Sequence, residues 1–405
     1  MAVVSPHSPA PGHSVPSRLG RWNVLANIAN GGMSSIYLGC QVEPGSDPHE
    51  PRTVALKVLR QEVRDDPRVL KMFLTEGKLL VRLVHPNIVR TLEVHVEDEH
   101  GFIAMELLLG QSIAAIQDAC VERGLRLNAE IAAFCVARIA DALQYANEVT
   151  DDDGRPLDII HRDVNPQNVF VTYAGEVKLI DFGMAKVLDG SITGPNLLVG
   201  KLPYLAPEQI RQMPLDHRSD IFALGTTFWE LLTAKRLFRR STDEETVEAV
   251  RSAPIPDVRE FAPEVPEALA RIVATALERD RDKRYWSASE LAYDVDAFLS
   301  PEVRAGMGER LSALAHTLYP DEYVEQQRWL APLPESADPE PVAPAPAPAP
   351  WWSELASTPS SSPSPSPESV PGRRYTLPPM NPPPRFRASS SRPPLEPAAP
   401  SDDDA

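Results

Sequence analysis

Apolar and polar residues alternate from Arg21 to about Thr53, with breaks at Asn30-Gly31-Gly32 and over Glu43–Arg52, a stretch holding three prolines. Alternation interrupted by turn formers predicts a strand, a tight turn, a second strand and a longer loop. Val54-Ala55-Leu56-Lys57-Val58-Leu59 predicts a third strand. The period then changes: Val69, Met72, Phe73, Leu80 and Leu83 recur at helical spacing, with Glu76 on the same stripe. After His85-Pro86-Asn87, the apolar stretches Ile88–Val96 and Phe102–Leu109 predict two more strands. Asn128 to Glu148 has the pattern of an amphipathic helix with Asn128 as its cap. A strand pair falls near residues 168–181, and Asp220 to Leu299 reads mainly helical. The order is a strand-rich N-terminal third followed by a helical remainder, without internal repeats.

Residues 301–330 stay ambiguous at this level. Leu311, Leu314, Leu318 and Tyr323 fit either a helix packed on the domain or a fraying extension. Beyond them the composition changes. Of 43 prolines, 22 lie between Ala331 and Ala405, a stretch that cannot bury enough apolar surface to offset its ordering entropy. The Ala-Pro run Pro344–Pro350, the Ser-Pro run Ser361–Pro367 and Pro382-Pro383-Pro384 favour extended polyproline II, which predicts a disordered, semi-rigid tail. Residues 1–18 read as a disordered leader, which leaves about 18–330 to fold.

The formal net charge of −17 argues against a nucleic-acid partner. No apolar run approaches the roughly 18–20 residues that a membrane span needs. Cys40, Cys120 and Cys135 lack metal-ligand spacing and read as free thiols of a reducing compartment, so the expected location is cytoplasmic.

Two charges sit on apolar elements: Lys57 in a strand and Glu76 on a helix stripe. An unpaired buried charge is costly, so either the two pair across a strand–helix contact or both snorkel to the surface. A second cluster is His161-Arg162-Asp163-Val164-Asn165-Pro166-Gln167-Asn168, followed by a strand Val169–Thr172, a turn, a strand Val177–Ile180 and Asp181. A hairpin of that register puts Asn168 and Asp181 side by side at its open end. An amide oxygen and a carboxylate there suit a Mg²⁺ that also holds phosphates, and Asp163 can face the same spot as a proton acceptor.

In these residues the chain resembles the eukaryotic-type (Hanks-type) serine/threonine protein kinases, from about Arg21 to Leu299, and is similar to their bacterial members. The glycine-rich loop is Ile28-Ala29-Asn30-Gly31-Gly32-Met33-Ser34-Ser35-Ile36, the strand lysine is Lys57 in Val-Ala-Leu-Lys, and its helix partner is Glu76. The catalytic loop is His161–Asn168, the metal-binding triplet Asp181-Phe182-Gly183, and the activation segment closes at Ala206-Pro207-Glu208. Asp220 resembles the aspartate that braces the catalytic loop, and Arg284 the ion-pair partner of Glu208.

The resemblance implies an α+β, bilobal fold. It has a small β-rich N-lobe with one main helix (about 19–106), a larger helical C-lobe (about 107–300), a helical extension or fraying end at 301–330 and a disordered tail at 331–405. It implies transfer of the γ-phosphate of ATP to protein Ser/Thr hydroxyls, with Mg²⁺, or Mn²⁺, held by Asn168 and Asp181. Asp163 would be the base, and Lys57, oriented by Glu76, would hold phosphates. Ile28 to Ser34, Ile36 and Ala55 would cover the nucleotide, with Met105 as gatekeeper and Glu106 to Leu108 as the adenine-binding hinge.

The sequence departs from the family's pattern at four positions. Ala29 and Ser34 replace glycines, which predicts weaker ATP binding rather than none. Asn165 stands where a lysine is usual, and Lys201 where a threonine is; Lys201 is expected to return the missing cation to the Asn165 neighbourhood. The alternative to an active enzyme is a pseudokinase or ATP-gated signalling scaffold. Arg162 is expected to await an anion, and Ser191 and Thr193 are the activation-segment hydroxyls placed to supply one by phosphorylation, or else are ordinary loop polars. The partners implied are protein substrates. The tail reads as a spacer, the alternative being docking of an adaptor by Met380–Arg385 or Trp351-Trp352.

Overall fold

The computed structural model describes residues 15–31, 33–41, 52–64, 66–97, 100–182 and 201–330. Six strands form one antiparallel sheet: β1 (Arg18–Leu19), β2 (Trp22–Asn30), β3 (Ser34–Gln41), β4 (Thr53–Leu59), β5 (Thr91–Glu97) and β6 (His100–Glu106), in the spatial order β1-β2-β3-β4-β6-β5. The first hairpin turns at Asn30–Ser34, where the Gly31 N–H donates to the Ser34 carbonyl at 2.8 Å. Between β4 and β5 come α1 (Gln61–Arg64) and α2 (Pro67–Leu80).

The sheet uses its two faces differently. Trp22, Val24, Leu56, Phe102 and Ala104 form one core, while Ile28, Ala29, Ile36, Leu38 and Ala55 point the other way. A third cluster joins Phe73 of α2 to Leu59 and Ile103 of the sheet. Trp22 and Phe102 are fully buried, each contributing about 1.5–3 kcal/mol of transfer free energy.

A short sheet follows: β7 (Gly110–Ser112), β8 (Val169–Thr172) and β9 (Val177–Leu179), in that order. The rest is helical: α3 (Ile113–Glu122), α4 (Ala129–Glu148), α5 (Pro207–Ile210), α6 (Arg218–Thr233), α7 (Asp243–Ser252), α8 (Glu267–Ala276) and α9 (Ala288–Phe298). Asn128 caps α4 through its Oδ1, which accepts from Glu130 N at 2.8 Å, as its residue type predicts. Every residue of α6 is buried, and α4 packs against both α6 and α9.

Three boundaries differ from the sequence expectation. The helix of the Val69–Leu80 stripe ends at Leu80, and Leu83 is buried from the turn beyond it. The strand expected at Ile88–Val96 starts at Thr91, because Ile88 makes an isolated bridge to Leu179 instead. The strand expected at Phe102–Leu109 stops at Glu106. Two elements had no periodic signal: β7 is three residues long, and α3 buries Ile113, Ala114, Ile116, Gln117, Ala119 and Cys120 around most of its circumference.

Residues 301–330 are ordered into α10 (Pro301–Ala305), α11 (Met307–Leu318), α12 (Pro320–Gln327) and a last 3₁₀ turn, Arg328–Leu330. Met307, Leu311, Ala315 and Leu318 of α11 are buried, one per successive turn, and Met307, Leu311 and Leu318 join the C-terminal core. Glycine is required where this helix begins. Gly175, at φ +84° in the β8–β9 turn, lies against the Gly308 carbonyl so closely that a Cβ would collide with it. Among the described residues no helix is long and apolar enough to cross a membrane.

Candidate active site

The inner face of the large sheet roofs a cavity of about 320 Å³. Ile28, Ala29, Gly31, Met33, Ser34 and Ile36 of the first hairpin line it, with Ala55 and Lys57 of β4 and Met105 to Leu108 at its back. Phe170, Ile180, Asp163 and Asp181 form the floor. Asn30 is not among the lining residues; its Oδ1 accepts from Asn27 Nδ2 at 3.0 Å. Gly32 lies outside the described residues. Alternation explains the roof: Ala55 and Lys57 are two apart in β4 and share a face, opposite Leu56 and Val58 in the outer core.

Lys57 Nζ lies 2.7 Å from Asp181 Oδ1. That ammonium holds the Asp181 carboxyl below its usual range, outweighing the upward push of burial. The Asp181 side chain is still 40% exposed, so part of the carboxylate faces the cavity. The proposed pairing of Lys57 with Glu76 falls outside what is described: Glu76 lies in α2, but its side chain is not among the described ones. Gly183, Ser191 and Thr193 also lie outside the described residues.

The loop His161–Asn168 is tied together by its own polar groups. Asn168 Nδ2 donates to Asp163 O at 2.8 Å and to Asp163 Oδ2 at 2.9 Å. The Asn165 amide donates to Asp163 O at 2.8 Å, and its Oδ1 accepts from Gln167 N at 3.0 Å. Asp220, buried at the start of α6, braces the loop from beneath: Oδ2 accepts from His161 N at 2.7 Å and Oδ1 from Arg162 N at 2.8 Å. Burial pushes the Asp220 carboxyl up, against the charges of His161 and Arg162 and these two N–H bonds. Arg162 (φ +66°) adopts left-handed backbone, unfavourable for a side chain of its kind, and the Asp220 bond to its N–H helps to hold it there; Asp181 (φ +63°) lies in the same region, which aspartate tolerates better. His161 Nε2 pairs with Ile180 O at 3.2 Å and its ring meets Phe182 edge-on at 4.5 Å, linking the loop to the Asp181 turn.

Lys201 closes the site from the far side. Its backbone N–H donates to Asp163 Oδ1 at 3.1 Å, and its Nζ donates to Asn165 Oδ1 at 3.1 Å and Gln167 Oε1 at 3.3 Å. Seven residues on, Glu208 accepts from Arg284 through both oxygens, at 2.9 and 3.2 Å, with both side chains buried.

Residues 22–294 match the protein kinase domain family. The chain belongs to that family. The tyrosine-protein kinase MasK of Myxococcus xanthus (strain DK1622) is 32% identical over 311 residues, covering 76% of this chain and 48% of that relative. The serine/threonine-protein kinase PrkC of Bacillus subtilis (strain 168) is 30% identical over 277 residues, covering 68% and 40%. The crystal structure of the Mycobacterium tuberculosis PknI kinase domain is similar at a TM-score of 0.53 and 25% identity, covering 72% of this chain and all of that one. The chain thus spans about half or less of the length of these curated relatives.

Protein kinases use ATP and Mg²⁺, and the oxygens in this kinase domain fit the ion. Asn168 spends its Nδ2 on Asp163 and keeps its amide oxygen; Asp181 has a second carboxylate oxygen beyond the one bonded to Lys57. Mg²⁺ is suited by one or two such protein oxygens with phosphates completing its shell. Glu106, expected at the hinge, turns its carboxylate to Lys178 Nζ at 2.9 Å and to Arg90 N at 2.8 Å, and its own N–H donates to Arg90 O at 2.9 Å.

The sequence reading did not find Val89, Phe170 and Ile180 of the cavity, which carry no chemistry of their own, nor Gln326 and Trp329, which arrive from the C-terminal helices. Trp329 was visible as a large apolar residue closing an amphipathic stretch, but nothing in its spacing points to this cavity.

Proposed function

We propose that this chain is a protein kinase that transfers the γ-phosphoryl group of ATP to serine or threonine hydroxyls of proteins. The observation that carries the proposal is that Lys57, Asp163 and Asp181 line one largely apolar cavity, with Asn168 bonded to the Asp163 carboxylate. Asn168 and Asp181 would hold Mg²⁺, which would neutralise charge on the phosphates. Lys57 positions them, and Asp163, oriented by Asn168, accepts the proton of the attacking hydroxyl as its oxygen bonds to phosphorus and the bond to ADP breaks. Such proton acceptance is worth about 10²–10⁴ in rate. Lys201 places its cation beside Asn165, where it substitutes for the charge that Asn165 lacks.

We further take residues 19–300 as the kinase domain, 331–405 as a spacer tail and the cytoplasm as the site of action. Arg162 supports an activation device: its Nε is buried without a hydrogen-bond partner among the described residues, as suits a cation awaiting phosphorylated Ser191 or Thr193.

The test is incorporation of labelled γ-phosphate from ATP·Mg²⁺ into the chain and a basic protein substrate, followed by phosphoamino-acid analysis. Phosphoserine or phosphothreonine that vanishes in Asp163→Asn and Lys57→Met is the expected result. Phosphotyrosine alone would overturn the acceptor assignment, and bound ATP without transfer would make the chain a nucleotide-binding scaffold.

A further inference from the structure

The helices after α9 reach back to the cavity. Their anchoring is polar as well as apolar. Ser312 Oγ donates to Tyr173 O at 2.8 Å, and Tyr319 OH donates to Ala115 O at 2.7 Å. His316 and Tyr323 pack against the Tyr173 ring, at centroid distances of 5.3 and 5.0 Å. Gln326, 2% exposed, takes both backbone groups of Gly110: Oε1 accepts from its N–H at 2.8 Å and Nε2 donates to its carbonyl at 3.3 Å. A side-chain amide that reads one residue's N–H and C=O together fixes register, so the chain after it enters the cavity at a set place.

That chain delivers Trp329. The indole is 8% exposed and packs with Ile28, Ala29, Ile36, Leu38 and Ala55, on the sheet face that roofs the cavity. Met105, Leu107 and Leu109 flank the same cluster. Trp329 thus belongs to the apolar part of the cavity lining, with Ala55 and the Met105–Leu109 stretch. With the indole in place the cavity still measures about 320 Å³, within the range of sites that enclose small ligands. Trp329 is therefore a wall of the space and not a plug filling it.

We infer that residues 307–330 are a built-in part of the nucleotide site, with Trp329 as the aromatic wall against the purine end of a bound nucleoside triphosphate. The inference rests on the reading of this cavity as the nucleotide site and adds a residue from outside the span that matches the family. A flat apolar indole suits a purine base, since bases stack on aromatic rings whatever their sequence or substituents. Packing alone does not explain the choice of residue. Trp329 Nε1 is buried without a partner among the described residues, a cost that phenylalanine would avoid.

The experiment uses the full chain and ATP, with and without Mg²⁺. Titration calorimetry gives Kd, steady-state kinetics separate KM from kcat, and tryptophan emission is followed on nucleotide addition. Trp329→Ala is expected to raise Kd and KM for ATP by about five- to a hundredfold, the loss seen when one stacked aromatic is removed from a base, with kcat little changed. Trp329→Phe keeps a ring and is expected to bind within about threefold of the parent while losing the nucleotide-dependent emission change. The other described tryptophans, Trp22, Trp229 and Trp286, do not line the cavity. Unchanged Kd in Trp329→Ala, or an emission response retained in Trp329→Phe, would overturn the inference. Tighter binding in Trp329→Ala would overturn it too, making the segment an inhibitory strap. Should Trp329→Ala fail to fold, the Trp329→Phe emission decides. A parent chain that binds ATP but transfers no phosphate would remove the kinase reading and leave this inference standing. A parent that transfers phosphate while Trp329→Ala binds as well as it does would remove the inference alone.

Discussion

Replacing Arg284 by methionine keeps a long apolar stem but takes the guanidinium from a pocket where its side chain is 0% and that of Glu208 4% exposed. The change strips Glu208 of a two-pronged partner, leaving Ser219 Oγ at 3.0 Å as a remaining side-chain donor. The carbonyls of Glu278 and Arg218 lose their Arg284 donors at the same time. Breaking a buried pair from one side costs about 3–5 kcal/mol, and that is the expected loss at pH 8. The pH dependence gives the sharper check. Burial pushes the Glu208 carboxyl up, but hydrogen bonds and charge from Arg284 outweigh it and hold it below its ordinary 4.5. In the parent that contribution is therefore present above pH 4.5 and lost as pH falls through the lowered value. In the variant burial is opposed by the Ser219 and backbone hydrogen bonds without Arg284, the carboxyl is expected to rise, and the penalty grows as pH rises above 4.5. The stability gap should be smaller at pH 5 than at pH 8. Urea denaturation at the two pH values measures it, with Glu208→Gln/Arg284→Met recovering at least about 2 kcal/mol by removing the uncompensated charge. Turnover should fall as well, because α5, which carries Glu208, directly follows the stretch whose Lys201 N–H is bonded to Asp163. A gap below about 1 kcal/mol that ignores pH, or a double variant no more stable than Arg284→Met, would refute the argument.

Lys201→Ala removes the ammonium from Asn165 and Gln167 while keeping the backbone bond to Asp163; kcat is expected to drop about tenfold at saturating ATP, with Lys201→Arg retaining part, and unchanged turnover would end the idea that this cation replaces the missing one. The three cysteines are buried, and burial pushes the Cys135 thiol up to about 12. At pH 8 the folded chain should react with a disulfide reagent far more slowly than the unfolded chain, which releases three thiols; fast modification of the native protein would show that the helices around Cys135 open readily.

Much of this site could be read along the chain because its chemistry is local. The bonds among Asp163, Asn165 and Asn168 span two to five residues, and the hairpin that brings Asn168 to Ile180 and Asp181 is closed by a turn of a few residues. Residue type and spacing therefore determined the catalytic loop, the strand bearing Lys57, the Asn128 cap and the ordering of strands before helices. Spacing says nothing about groups that meet only after the chain has folded back. Lys57 meets Asp181, 124 residues away, and Gln326 finds Gly110 across 216. Helix α3 escaped notice because burial around most of its surface erases the polar face that makes a helix periodic. Residues 301–330 were ambiguous for the complementary reason. Their apolar stripe fits any apolar partner, and only packing against Tyr173, Ala115 and the sheet roof selects one. The sequence by itself thus determined which groups could do chemistry. Tertiary structure decided which of them share a cavity, because long-range contact depends on how whole elements pack and not on the distance between residues along the chain.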